Sequence, residues 1–345
     1  MNNITMLEDL ETIINSNIID WNSIDGSTFL ITGATGLIGS LLVKALIERN
    51  KKYNSNINFI LLVRDLEKAK TIIPDVPEIK YIVSPLEELD LDSLKKQNFD
   101  YIIHAASPTK SSYFVEHPVE TIDTALIGTK KMLELTKNDS SKVMIYLSSM
   151  EMYGQFEKQM VAENDQGFID PLSPRSSYSG GKRACELYCA AYAYEYGSKV
   201  RIARLAQVFG AGVSSSETRV YKMFSDAAIN KKDINLSSDG STVSNYCYTT
   251  DAILGLLTIL TKGKDASAYN VCSDPTGMTI LDIANWISEE YSAGKMVVST
   301  SKEPSQKYAP STKMVLDNSK LKSLGWKPQY SLKDGYRRLI KYFSE

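Results

Sequence analysis

The pattern of hydrophobic and polar positions divides most of the chain into alternating segments of strand and helix length. Two segments, 57–63 and 143–147, are almost continuously apolar, which is typical of strands buried in a parallel sheet. Strands are predicted at 28–31, 57–63, 79–83, 100–104, 143–148 and 199–205. Apolar residues at helical spacing lie between them, most clearly at 118–137 and 178–196. This alternation predicts an α/β fold with helices on both faces of a parallel sheet.

The two ends of the chain depart from this alternation. Residues 5–18 have apolar positions at helical spacing and predict a helical extension, 1–27, ahead of the first strand. After residue 206 the pattern breaks into shorter pieces, with loops predicted at 210–218 and 237–245 and helices at 280–291 and 332–343. We therefore expect a sheet domain over 28–205 and a smaller C-terminal lobe over most of 206–345, with some segments returning to the sheet.

A glycine-rich turn follows the first predicted strand. Gly33 allows a tight turn, Gly36 lets the backbone approach a pyrophosphate, and Gly39 lets the next helix pack close to the strand. N–H groups at the helix start then face the phosphates. The turn predicts a Rossmann-type doubly wound sheet that binds a dinucleotide through Gly33, Thr35, Gly36, Leu37, Ile38 and Gly39. The alternative is a packing turn without a ligand, because the spacing is G-x-x-G-x-x-G and not G-x-G-x-x-G.

Tyr178 and Lys182 lie four residues apart on a predicted helix and therefore share a face of it. A free tyrosine has a pKa near ~10 and is a poor acid or base at neutral pH. A neighbouring ammonium favours the phenolate, so we expect Lys182 to lower the pKa of Tyr178 toward the working range. Such pairs also occur on ordinary helix surfaces. The glycine turn upstream, and the strand that ends at Ser148 and Ser149, favour catalysis.

Together these motifs resemble those of the extended short-chain dehydrogenase/reductases, which act on nucleotide-activated sugars. The resemblance extends from about Thr28 to the C-terminus and is locally strongest to UDP-glucuronate decarboxylases and sugar 4,6-dehydratases. In those enzymes a segment like 170–178 leads into the catalytic helix. The resemblance implies a catalytic triad in which Ser149 holds the substrate oxygen, Tyr178 passes the proton, and Lys182 also holds the nicotinamide ribose.

The same resemblance implies further contacts. His104, Ala105 and Ala106 would contact the cofactor. The substrate contacts would be Ser107, Ser149, Met150, Gln207 and Arg219. The helices 118–137 and 178–196 would pair with their copies in a homodimer.

Several positions depart from the family pattern. The dehydratases follow the triad hydroxyl with an Asp-Glu pair, acid then base, whereas this chain has Met150 and Glu151. Glu151 therefore stays a candidate base, and the acid is missing. Gln207 replaces an Asn, and Ser244 replaces an Arg that usually binds the substrate pyrophosphate. These changes leave the triad intact but bear on the substrate and the reaction.

The second strand ends in Arg64 and Asp65, which bears on the choice of cofactor. A carboxylate at this strand end usually binds the ribose 2′-hydroxyl of NAD, whereas an arginine suits the 2′-phosphate of NADP. Arg64 occupies the position itself, so NADP(H) is favoured. NAD(H) is possible if Arg64 faces water and Asp65 binds the ribose.

Three classes of function remain open, and the sequence favours the first of them, a reductase. Arg64, Met150 and Ser244 favour NADPH-dependent reduction of a nucleotide-linked keto-sugar, whereas Glu151 and the decarboxylase-like segment 170–178 favour an NAD-retaining decarboxylase, dehydratase or epimerase. A non-catalytic nucleotide-binding scaffold is the third class, and the intact triad counts against it.

Composition excludes several partners. A net charge of −2 provides no basic field for nucleic acid, and no apolar stretch is long enough to span a bilayer. The N-terminus has no signal-peptide pattern, and four cysteines without metal-ligand spacing predict reduced thiols. We therefore expect a cytoplasmic protein that holds no metal.

Overall fold

The computed structural model describes residues 3–155, 158, 160–243, 245–301 and 314–345. Its strands are β1 (Thr28–Thr32), β2 (Asn58–Val63), β3 (Ile79–Val83), β4 (Tyr101–His104), β5 (Val143–Ser149), β6 (Met160–Val161), β7 (Lys199–Leu205), β8 (Gln207–Phe209), β9 (Ile234–Leu236), β10 (Tyr246–Tyr248), β11 (Ser267–Val271), β12 (Val298–Thr300) and β13 (Val315–Leu316). Its α-helices are α1 (Ile4–Ile14), α2 (Leu37–Tyr53), α3 (Leu66–Ile72), α4 (Leu91–Lys95), α5 (Ser111–Glu116), α6 (Pro118–Glu134), α7 (Ser176–Tyr196), α8 (Val220–Asn230), α9 (Thr249–Lys262), α10 (Ile280–Ser292), α11 (Ser319–Lys322) and α12 (Leu332–Ser344). Short 3₁₀ helices lie at Trp21–Ser23, Leu86–Glu88 and Met150–Tyr153.

The central sheet has seven strands in the order β11-β7-β5-β4-β1-β2-β3. Each neighbouring pair is parallel. The predicted doubly wound parallel sheet is therefore confirmed, and β3 and β7 have the predicted bounds. The sheet order reverses between β1 and β4, which is where ligands bind in folds of this kind.

Alternate residues of each central strand face opposite sides of the sheet. On β1, Phe29 and Ile31 lie in the core shared with α2 and α9, whereas Leu30 lies in the core shared with α6 and α7. Both faces are thus covered by helices, which explains why the strands read as nearly continuous apolar runs. All four cysteines are buried free thiols.

The C-terminal lobe has an aromatic core of its own. Phe209, Phe224 and Tyr336 pack together with the apolar faces of α8, α10 and α12. Two elements of this part of the chain lie elsewhere: β11 pairs with β7 at the edge of the central sheet, and α9 packs against β5 and β7. The chain therefore returns to the sheet before it completes the lobe.

The N-terminal helix α1 packs against α2, α9 and α12. Its Asp9 carboxylate accepts a hydrogen bond from the Tyr248 hydroxyl at 2.6 Å and pairs with Arg338 at 2.6 Å. The extension is therefore attached to both the sheet and the lobe. The helix ends at Ile14 and not at residue 18, because the chain turns after Asn15. The backbone N–H of Asn15 donates hydrogen bonds to carbonyls of the last helical turn.

The helix α6 also ends before its predicted limit, at Glu134 and not at residue 137. Thr136 donates its backbone N–H to the Leu133 carbonyl, so the chain tightens into a turn there. Within the described residues, no helix has both the length and the apolar character needed to cross a membrane.

Candidate active site

The turn after β1 brings the backbone of two strands close together. Gly33 has a φ of 70°, a left-handed backbone conformation that residues with a Cβ atom rarely adopt. A Cβ atom on it would also lie 2.7 Å from the Ala105 carbonyl carbon. A Cβ atom on Gly39 would overlap the Gly33 carbonyl oxygen. Glycine is therefore required at both positions. Gly33 lets the turn pass close to the backbone that follows β4, and Gly39 lets α2 pack next to the turn.

The same turn fits a dinucleotide pyrophosphate. α2 begins at Leu37 after Gly36, and no side chain of the described residues caps this helix start. Its first N–H groups, which include those of Leu37 and Ile38, are therefore available to phosphate oxygens. Thr35 and Gly36 lie in the turn itself. The predicted cofactor contacts at these residues stay a prediction.

The end of β2 presents Arg64 to solvent, whereas Asp65 has a structural role. The Asp65 carboxylate accepts a hydrogen bond from the Lys68 N–H at 2.9 Å and caps α3. Arg64 is exposed and has no ion-pair partner among the described residues. Asp65 is thus directed to the start of α3. The interpretation in favour of NADP(H) requires this orientation of its carboxylate.

The His104 side chain is bonded within the core, and its predicted contact with the cofactor stays a prediction. The imidazole is buried, with Nδ1 at 2.7 Å from the Thr32 hydroxyl and Nε2 at 3.2 Å from the Thr129 hydroxyl. Burial, followed by the nearby Lys182 charge, lowers the pKa of His104 to about 3. The neutral ring therefore joins β1, β4 and α6. Thr32 also accepts a hydrogen bond from the Ala106 N–H, which fixes the backbone next to Gly33.

The structure brings Ser149, Tyr178 and Lys182 together. Ser149 ends β5, and its hydroxyl accepts a hydrogen bond from the Glu151 N–H at 3.2 Å. Tyr178 and Lys182 lie on α7, with the Lys182 ammonium 5.7 Å from the centre of the Tyr178 ring. The ammonium donates to the Leu147 carbonyl at 2.7 Å, so it is tied to β5 beside the phenol.

The pKa of Tyr178 does not shift in the direction expected from the sequence. Burial, and after it the Glu151 charge, raise the pKa of Tyr178 to about 12, although the hydrogen bond with Ser149 acts to lower it. Lys182 is not among the main causes. Burial lowers the pKa of Lys182 itself to about 8, because the charged form of a buried group is disfavoured for acids and bases alike.

A partly buried ion pair lies beside the phenol. The Arg175 guanidinium donates to the Glu151 carboxylate at 2.8 Å. It also lies 5.2 Å from the centre of the Phe114 ring, and Phe114 stacks on Tyr178 with the ring centres 4.3 Å apart and an angle of 4° between the rings. Glu151 is therefore in the site, as expected, but a paired carboxylate and not a free base.

The remaining predicted substrate contacts come from several other parts of the chain. The Arg219 guanidinium pairs with Glu217 at 2.6 Å, and its charge lowers the pKa of Tyr178, which places it on the same side of the site. Met150 is partly buried against the core, and Gln207 begins β8. Ser107 follows β4 and is partly buried. Ser244 lies outside the described residues.

Beneath the triad, a buried polar network joins α7 to the sheet. The Arg204 guanidinium on β7 pairs with Glu186 on α7 at 2.6 Å and donates to the Tyr153 hydroxyl at 2.8 Å. Glu186 also accepts a hydrogen bond from the Ser148 hydroxyl at 2.6 Å. Ser148 thus supports the sheet, and Ser149 is the residue that faces Tyr178.

Sequence reasoning missed Arg175, Phe114, Glu186 and Arg204. Arg175 and Glu186 lie within one or two helical turns of Tyr178 and Lys182, so their spacing on α7 was a usable signal. Phe114 and Arg204 come from other elements, and no local pattern links them to the site. No cluster of three or more metal-ligating side chains occurs in the part of the chain that the structure describes.

Comparison with known proteins agrees with this geometry. The model of the NAD dependent epimerase/dehydratase family matches residues 29–272. UDP-glucuronic acid decarboxylase 3 of Arabidopsis thaliana is 29% identical over 313 residues, which are 89% of this chain and 86% of that protein. An epimerase of Methanothermobacter thermautotrophicus has a TM-score of 0.78 at 22% identity, covering 100% of this chain and 96% of its own. UDP-glucuronic acid 4-epimerase of Bacillus cereus, in complex with UDP-glucuronic acid and NAD, has a TM-score of 0.75 at 22% identity. The match covers 92% of this chain and 99% of that protein's chain.

The triad assignment predicts that Tyr178→Phe removes most of the turnover of a nucleotide sugar. Loss of the proton-carrying hydroxyl should cost at least the ~10²–10⁴-fold typical of general acid–base catalysis. Folding, by circular dichroism, and cofactor affinity, by titration, should change little. Tyr194→Phe is the matched control, since Tyr194 is 95% exposed on the same helix. Near wild-type turnover of Tyr178→Phe would contradict the assignment.

Proposed function

This chain belongs to the NAD dependent epimerase/dehydratase family, and we propose that it decarboxylates a nucleotide-linked hexuronic acid while NAD stays bound. The observation that carries the proposal is the intact pair of Ser149 and Tyr178 next to apolar Met150 and paired Glu151. Dehydration needs an acid at position 150 to protonate the leaving hydroxyl, whereas decarboxylation does not. The similarity to UDP-glucuronic acid decarboxylases over 89% of the chain supports the same reaction and a UDP-linked substrate.

The chain's own residues account for binding and for proton transfer. The Gly33–Gly39 turn would hold the pyrophosphate of the cofactor, and Lys182 would hold its nicotinamide ribose. Bound NAD supplies a hydride acceptor that later returns the hydride to the sugar. Ser149 donates a hydrogen bond to the sugar hydroxyl oxygen, and the Tyr178 phenolate takes the proton of that hydroxyl as the carbonyl forms.

Carbon dioxide then leaves from the carbon next to the new carbonyl. The electron pair of the broken C–C bond moves onto the carbonyl oxygen, where the hydroxyls of Ser149 and Tyr178 stabilise the negative charge. A proton from solvent replaces the lost carboxyl group on carbon. Apolar Met150 favours this step, because dispersal of the carboxylate charge is easier in an environment that solvates the carboxylate poorly.

Product analysis in D₂O tests the proposal. Purified protein with UDP-glucuronic acid should release CO₂ and form one UDP-pentose per CO₂, with deuterium on the former carboxyl-bearing carbon and no net consumption of NAD. UDP-glucuronic acid that is epimerised without CO₂ release would support an epimerase instead. Glu151→Gln provides a second criterion: we expect it to remove most of the activity of a dehydratase, which needs a base for a carbon-bound proton, but to spare a decarboxylase or a simple reductase.

Reduction of a nucleotide-linked keto-sugar by NADPH is the second candidate, and it is the reaction that the sequence favoured. The similar proteins named above do not support it, but one observation does: Asp65 caps α3, so a 2′-phosphate next to exposed Arg64 would meet no free carboxylate from that residue. Consumption of NADPH with a keto-sugar, without deuterium on the carbon next to the carbonyl, would favour this candidate.

The second candidate predicts that Arg64→Ala weakens NADP(H) selectively. Charge-assisted hydrogen bonds to a 2′-phosphate each contribute about 1.5–3 kcal/mol to the binding free energy. Their loss should therefore lower the affinity for NADP(H) by about one to two orders of magnitude. The affinity for NAD(H) should hardly change. Lys70→Ala, which removes another cation from α3, is the control for general charge effects. Both affinities are measured by fluorescence titration, and tighter binding of NAD(H) by the unaltered protein would contradict a preference for NADP(H).

We also propose that the protein is a homodimer built from α6 and α7. α7 exposes an apolar stripe whose spacing is helical, with Leu187 71% and Tyr194 95% exposed and two exposed alanines between them. Val119 and Ile122 are exposed on the neighbouring helix α6. Exposed apolar stripes of this kind are typical of an interface. Light scattering at micromolar concentration should report a dimer that Leu187→Lys dissociates, whereas a monomeric unaltered protein would contradict the proposal.

A further inference from the structure

Arg175 connects two parts of the active site that come from different elements. It immediately precedes α7, and its guanidinium reaches back to Glu151 in the 3₁₀ helix after β5 at 2.8 Å. The same guanidinium lies 5.2 Å from the centre of the Phe114 ring, and Phe114 stacks on Tyr178 with the two rings parallel. Phe114 is itself fixed, because its carbonyl accepts a hydrogen bond from the Ser177 hydroxyl at 3.0 Å.

Several charged or polar groups face the Tyr178 phenol. Glu151 from the 3₁₀ helix favours the neutral phenol, whereas Arg175 at the start of α7 and Arg219 before α8 favour the phenolate. The Ser149 hydroxyl from β5 bonds the phenol, and Lys182 lies one turn further along α7. Because Glu151 and Arg175 are bonded to each other, the Arg175 charge offsets the effect of Glu151 on the phenol, although Glu151 remains the larger of the two.

We propose that Arg175 is a positioning residue for the reaction: it neutralises the Glu151 carboxylate beside Tyr178 and holds the phenol ring in place through Phe114. This inference rests on the proposed function only in assigning the proton transfer to Tyr178. The ion pair and the ring stack are features of the chain itself. Arg175 thus keeps a carboxylate in the site while it offsets the charge that opposes ionisation of the phenol.

The backbone that carries Glu151 does not depend on Arg175. The Arg183 guanidinium, two turns along α7, donates to the carbonyls of Met152 and Tyr153 at distances of 2.7 to 3.0 Å. This second arginine holds the C-terminal end of the 3₁₀ helix when Arg175 is replaced. Arg175 and Glu151 are also partly exposed, with side chains 29% and 33% accessible, so their substitution leaves no large cavity. We therefore expect Arg175 variants to fold.

A charge cycle tests the proposal through the pH dependence of kcat/KM. Arg175→Gln leaves Glu151 without compensation, so the pH at which activity rises should move upward by about one unit. Glu151→Gln leaves the Arg175 charge without compensation and should move it downward by a similar amount. The double variant should return to the wild-type midpoint, and Arg175→Lys, which keeps the charge, should stay close to it. Circular dichroism confirms folding of each variant.

The outcome separates a charge effect from a structural one. Opposite shifts that cancel in the double variant support the proposal. Equal loss of activity at every pH in Arg175→Gln, or shifts that do not cancel, would overturn it, since a merely structural role does not move the midpoint.

A second measurement does not need turnover. The ultraviolet difference absorbance of tyrosinate between each protein and its Tyr178→Phe counterpart reports the phenol in the absence of substrate. Ionisation of Tyr178 at a lower pH in Glu151→Gln than in the double variant supports the proposal, and coincident titrations overturn it. If the unaltered protein turns over no nucleotide sugar, the proposed function fails, and this titration still decides the role of Arg175.

Discussion

The active site depends on the buried ion pair between Arg204 and Glu186. Both side chains are only 9% exposed, and the pair joins β7 to α7, the helix that carries Tyr178. Glu186 also accepts a hydrogen bond from Ser148, the residue next to Ser149 on β5. Removing one partner of a buried pair typically costs about 3–5 kcal/mol, because the other charge stays buried without compensation. The pair therefore holds helix and strands in the relative position that the serine and the tyrosine need.

Burial and charge pairing together define the electrostatics around the phenol. Burial raises the pKa of Tyr178 and lowers the pKa of Lys182 and of His104, so each group is shifted toward its neutral form. Each carboxylate named near the site is then paired with an arginine: Glu151 with Arg175, Glu186 with Arg204, and Glu217 with Arg219.

The three pairs differ in what the sequence could reveal. Arg219 and Glu217 are two residues apart, so local reasoning could find them. Arg175 and Glu151 lie in neighbouring segments, and only the fold of the loop between β5 and α7 brings them to 2.8 Å. Lys182 shows the same limit: its spacing from Tyr178 indicates a shared helix face, but its bond to the Leu147 carbonyl and its burial depend on β5. The expected lowering of the pKa of Tyr178 was wrong because burial of the phenol and the Glu151 charge, both set by the tertiary structure, raise that pKa.

By itself the sequence determined the parallel sheet, the glycine turn and the membership of Ser149, Tyr178 and Lys182 in one site. The sheet and the turn follow from continuous apolar runs, from helical spacing of about 3.6 residues and from the backbone freedom of Gly33, which are local properties. The triad follows from the helical spacing of Tyr178 and Lys182 together with the resemblance to the family. Only the tertiary structure decided that His104 is a neutral core residue, that Asp65 caps a helix, that Glu151 is paired, and that α1 joins the sheet to the lobe. Burial and ion pairing arise from contacts between residues distant in sequence, and no local pattern encodes them.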